Sequence, residues 1–213
     1  MAKESLKVLL FLLVFQALKI LVIDFAINLI NADKLSVELI KLTIFLVMGI
    51  LLLIWVNKRK CPLSLFLISN NKIVVMSYTI LSVFVIFTIM TTPIFSESYT
   101  IERFIPYIYY VVFIPVFDEL VFRGYLWNKL KQCNVKERNI VLITTFIFVI
   151  WNIMCAFEMG IYTNYGNIYS MICIKFIIGF AYGLILGGIR LKCKNTFACI
   201  LSHSILNMWL RII

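Results

Sequence analysis

Apolar residues run along this chain in long blocks, not in the half-faces of amphipathic helices, and short polar segments separate the blocks. A hydrocarbon core about 30 Å thick needs roughly 20 apolar residues per crossing helix. By that criterion the pattern predicts about seven spans, at approximately 6–30, 36–56, 73–95, 104–126, 138–157, 168–190 and 196–212. The expected fold is all-α, a polytopic membrane helix bundle. No repeat and no linker divides the chain, so residues 1–213 read as a single membrane domain. Lys19 and Asp24 interrupt the first block, which is therefore expected either to cross or to lie partly in the interface.

Composition sharpens the picture. The 213 residues are 63% hydrophobic and only 14% charged, with a mean hydropathy of +1.02, too little polar surface for a soluble domain. The net charge of +10 would point to nucleic acid in a soluble protein. Here the basic residues sit between apolar blocks instead, so the expected partner of this surface is the lipid bilayer and not nucleic acid. Lys58, Arg59, Lys60 and Lys72 separate spans two and three. Lys129, Lys131, Lys136 and Arg138 separate four and five, and Arg190, Lys192 and Lys194 separate six and seven. The alternate loops hold Asp33 with Lys34, then Glu97, Glu102 and Arg103, then Glu158 alone. This alternation predicts a cytoplasmic N-terminus and an outside C-terminus in a bacterial cell membrane. If the first block does not cross, the N-terminus changes sides. Lys3 and Lys7 precede the first block without a small-residue cleavage signature, so it reads as a retained helix. The six cysteines form no CxxC pair and read as free thiols.

Ionisable groups inside spans are costly, and each invites a functional reason. Asp118 and Glu119 sit near one end of span four, followed by Arg123 and Gly124 in DELVFRGYLW. Glu119 and Arg123, four apart, can pair along one helix face. Asp118 projects about 100° away, which allows a structural Glu–Arg pair beside a carboxylate free for chemistry. A snorkelling interfacial cluster explains the same residues. His203 and Asn207 share one face of span seven, either as packing glue or as donors to a carbonyl oxyanion. Asn152 lies one turn after Phe148 in span five. Gly179, Gly183 and Gly187 form a small-xxx-small ridge on span six, which reads as packing. With a single histidine in the chain, an HExxH zinc helix is excluded. No serine sits in a G-x-S-x-G elbow.

Taken in order, these residues resemble the CPBP family: the CAAX-protease and bacteriocin-processing intramembrane endopeptidases, also described as lysostaphin-resistance-A-like or Abi proteins. The family pattern is E-E-x-x-x-R, F-x-x-x-H and H-x-x-x-N or D. The chain offers Asp118-Glu119-x-x-x-Arg123, Phe148-x-x-x-Asn152 and His203-x-x-x-Asn207. The resemblance covers roughly residues 104–210. It implies an endopeptidase that takes a peptide or protein tail from the cytosolic side, in peptide maturation, bacteriocin self-immunity or envelope-protein processing. It assigns Asp118 and Asn152 to the attacking water, His203 and Asn207 to the oxyanion, and Glu119 and Arg123 to support. Asp118 and Asn152 replace the family's Glu and His, so the water-activating half departs from the pattern while the oxyanion half matches. The resemblance therefore also admits a weakened or inactive relative acting as a membrane scaffold or immunity factor beside a membrane or envelope partner. A divalent metal enters with the family. Its candidate ligands are His203, Asp118 and Glu119, an oxygen-rich set nearer to magnesium or manganese than to a standard zinc site.

Overall fold

The computed structural model describes residues 2–30, 33–58, 60–66, 70–95, 100–162 and 168–212. Arg59 and Glu97, both counted in the loop pattern, lie outside the described residues, as do the side chains of Lys3, Lys34 and Glu158. Every predicted span is a helix: α1 (Ala2–Ile30), α2 (Lys34–Lys58), α3 (Lys72–Phe95), α4 (Ile101–Gln132), α5 (Glu137–Tyr162), α6 (Ile168–Cys193) and α7 (Thr196–Ile212). The first six are long and apolar enough to cross a membrane, and α7 has 17 residues. The chain is a polytopic helical membrane protein.

The two charged residues inside the first block are placed differently. Lys19 is 2% exposed, and its ammonium lies 5.2 Å from the centre of the Phe45 ring on α2. Leu10, Leu13, Val14, Leu18 and Leu21 of the same helix face outward. Helix α1 thus keeps Lys19 toward the bundle, as an intramembrane cation requires, while Asp24 is exposed and accepts from Asn28 Nδ2 at 2.7 Å one turn on. Its Phe15 enters an aromatic cluster with Phe45, Phe117 and Trp151.

The α5–α6 contact uses the glycine ridge. A Cβ on Gly183 would sit 2.5 Å from Cγ2 of Thr145, and one on Gly187 would sit 2.8 Å from Cγ1 of Val141. Both are closer than side chains tolerate, so the two helices meet backbone to side chain at this ridge.

Helix α4 is not uniform. It widens to π-helical turns at Tyr109–Phe113 and Leu120–Leu126, with Asp118 and Glu119 on the α-helical piece between them. Pro115 has no N–H, so the Tyr110 carbonyl loses the partner that the wider ladder would offer five residues on. Asn207 fills the gap, its Nδ2 donating to that carbonyl at 2.8 Å. In the second wide turn the Trp127 N–H donates to the Phe122 carbonyl instead of to Arg123. The freed Arg123 carbonyl accepts from Arg190 Nε at 3.1 Å and faces Thr196 Oγ1 at 3.4 Å. Each π-turn therefore exposes a carbonyl that ties α4 to α6 or α7. Such turns are common where helices carry function.

The segment from Cys61 to Ser64 closes the same end. Asn128 Nδ2 donates to the Pro62 carbonyl at 2.6 Å, Thr196 Oγ1 to Leu63, and the Thr196 N–H to Ser64. All three basic loops thereby gather at one end of the bundle.

Candidate active site

Each carboxylate of the acidic pair points at a different helix. Glu119 and Arg123 are wholly buried, with Nη1 of Arg123 3.1 Å from Glu119 Oε1. The other side of the guanidinium donates from Nη2 to the Gly183 carbonyl at 3.2 Å. Its face lies 4.9 Å from the centre of the Phe148 ring. The ion pair expected from the four-residue spacing is present, and it is a buried pair, not a snorkelling interfacial cluster. The first phenylalanine of F-x-x-x-N thus has a role of its own, as a wall for the arginine.

The contact that spacing did not anticipate is between Glu119 and the histidine. His203 Nδ1 lies 2.9 Å from Glu119 Oε1, so one carboxylate oxygen holds both Arg123 and His203. The imidazole is clamped edge-to-face between Phe148 and Tyr182. No protein partner is seen for its Nε2 among the described residues. With Nδ1 donating to the carboxylate, Nε2 is the nitrogen left for chemistry.

Asp118 turns away, as the helix geometry predicts, but it is not free. Its Oδ1 accepts from the Trp151 indole at 3.0 Å, and Lys19 of α1 lies within electrostatic range. Asn152, on the helix beside that tryptophan, donates from Nδ2 to the Phe148 carbonyl of its own helix. It packs against Gly179, where an added Cβ would lie 3.2 Å from that of Asn152. The water-activating pair expected from the family pattern is therefore not joined by a direct contact in this arrangement. Asn207 donates one N–H to Tyr110 and keeps the other.

Several members of the site left no signal in the sequence. Trp151 sits one residue before the matched asparagine. Gln16 and Lys19 lie in the first half of the chain and both are buried; Lys19 stood out in the sequence only as an interruption of the first block. The Tyr182 hydroxyl is buried with no partner, as are Glu119 Oε2 and Arg123 Nε. Unsatisfied polar atoms collected around one histidine mark a place built for another molecule, water or substrate.

The candidate metal ligands do not fit a resident ion. The Arg123 guanidinium and the His203 Nδ1 already flank Glu119 Oε1, and Asp118 turns away from them to Trp151. Among the described residues no three His, Cys, Asp or Glu side chains stand close enough to share a metal.

A family model described as type II CAAX prenyl endopeptidase Rce1-like matches residues 100–209, about half of the chain. No curated protein and no solved structure matches it.

Proposed function

This chain belongs to the Rce1-like family of type II CAAX prenyl endopeptidases, and from that premise we propose that it is an intramembrane endopeptidase whose working group is His203. The observation that carries the proposal is the buried contact from Glu119 to His203 Nδ1 at 2.9 Å. A carboxylate on one imidazole nitrogen fixes the tautomer and leaves the other nitrogen to accept a proton. In the proposed reaction His203 Nε2 takes a proton from water, and the water oxygen bonds to the scissile carbonyl carbon. The resulting oxyanion accepts from the second N–H of Asn207 and from the Tyr182 hydroxyl. Collapse of the intermediate breaks the carbon–nitrogen bond, and His203 returns its proton to the leaving amine. Glu119 orients the imidazole, while Arg123 holds Glu119 against the α6 backbone.

Asp118 is then a positioning residue that docks α4 on Trp151, and Asn152 keeps α5 against the glycine ridge. The substrate enters from the cytosolic side as a peptide or protein tail, the basic loops marking that side. Asp118→Asn keeps an oxygen for the Trp151 indole, so processing of a native substrate should fall less than about tenfold. Removing a general base costs 10²–10⁴-fold, so His203→Gln should lose roughly that much. A larger loss in Asp118→Asn than in His203→Gln, at equal membrane abundance, would return the water to Asp118.

One observation favours a second reading. Where the family pattern has an imidazole, Asn152 turns its amide onto its own helix, which supports a non-catalytic relative acting as a scaffold or immunity factor. Under that reading the phenotype survives His203→Gln, and co-purification with the partner protein is retained.

A further inference from the structure

Away from the buried carboxylates, a second polar site lies at the basic end of the bundle. It is a pocket of about 80 Å³ among the ends of α4 and α6, the start of α5 and the Ser64 segment. That volume exceeds what a single water needs and suits a compact polyatomic group. Arg190 forms its inner wall and is 4% exposed. Its guanidinium donates to neutral acceptors, Nε to the Arg123 carbonyl and Nη2 to Asn128 Oδ1 at 3.3 Å. No carboxylate lies within ion-pair distance of it among the described residues. Lys131 and Lys194 line the mouth. The acidic residue of the wall, Glu137, is held by Lys131 at 2.8 Å. Three cations against one carboxylate leave the pocket positive.

Lys194 is the residue just past the end of α6. Its φ of 54° lies in the left-handed region, and its N–H donates to the Arg190 carbonyl at 3.0 Å, the usual way a helix closes. Trp127 forms another wall, with its ring 5.8 Å from the Arg190 guanidinium. A buried arginine with no direct carboxylate partner, two lysines and a buried tryptophan at the ends of spanning helices make a receptor for a phosphate at headgroup depth.

We propose that this pocket binds the phosphate of an anionic phospholipid. A headgroup there would tie α4, α5 and α6 together at the end where Arg190 already supports the Arg123 carbonyl. The inference does not depend on the peptidase reading, since no residue of the pocket touches the Glu119–His203 pair.

The test is thermal unfolding of the full chain in a neutral detergent, titrated separately with short-chain phosphatidylglycerol, short-chain phosphatidylcholine and inorganic phosphate. Phosphatidylglycerol should raise the melting temperature saturably, and phosphatidylcholine should not. The double variant Lys131→Gln, Lys194→Asn changes only exposed side chains and should melt like the wild type without lipid. Its half-saturating phosphatidylglycerol concentration should rise at least fivefold, and Arg190→Gln should raise it further. Equal effects of the two lipids, an unchanged titration in the double variant, or stabilisation by inorganic phosphate alone would each overturn the proposal.

Discussion

At the scale of single residues, the proposed mechanism rests on one oxygen atom with two partners. Glu119 Oε1 takes the only histidine and a buried arginine together. The helix period made the arginine contact readable, because residues four apart share a face. It could not show the histidine contact, since 84 positions separate the partners and no local rule reaches that far. The same period separated Asp118 from Glu119 correctly, while its indole partner on another helix was invisible. If Glu119 and His203 act as a unit, their effects on catalysis are not additive. The variants Glu119→Gln and His203→Gln should each lower turnover by about 10² or more, and the double variant should be no worse than the His203 single variant. Measured processing rates that multiply across the two sites would separate the residues and remove Glu119 from the catalytic unit.

At the scale of elements, all seven helices follow from the lengths of the apolar blocks, because lipid demands continuous internally bonded spans. The π-turns of α4 do not follow from the apolar pattern. Pro115 hints at the first, by removing an N–H. The second becomes visible only through its consequence, the Arg123 carbonyl shared by Arg190 and Thr196. Helix α7 must start at a fixed place for His203 to meet Glu119, and Asn195 sets that place. Its Oδ1 accepts from the Ala198 N–H at 2.7 Å, as a helix N-cap does, and also from the Tyr78 hydroxyl of α3. Replacing Asn195 with alanine removes a buried cap and leaves the tyrosine hydroxyl without that partner, a loss of about 1–3 kcal/mol. Thermal unfolding in detergent should show a lower melting temperature for Asn195→Ala. An unchanged melting temperature would show that α7 is anchored elsewhere.

At the scale of the whole molecule, the family resemblance spans the second half of the chain, yet the first half is part of the site. Phe15 stacks on Trp151, and Lys19 lies in range of Asp118. These contributions escaped the sequence because a lysine in an apolar block reads as an interruption until its neighbours are known. The polarity of the basic loops gave the bundle a direction, and the contacts of Asn128 and Thr196 with the Pro62–Ser64 segment put those loops at one end. Cys133 is exposed beside one of them. In a variant with the other five cysteines replaced, a membrane-impermeant maleimide should label Cys133 in inverted vesicles and not in intact cells. Labelling in intact cells would invert the topology and move substrate entry to the outer face. The central claim is that the bundle hydrolyses peptide bonds through His203. Its most direct measurement compares peptide termini, by mass spectrometry, in cells carrying the native chain and the His203→Gln variant at matched membrane abundance. The account predicts at least one new peptide end that appears with the native chain and disappears with the variant; identical sets of ends in the two strains would contradict it.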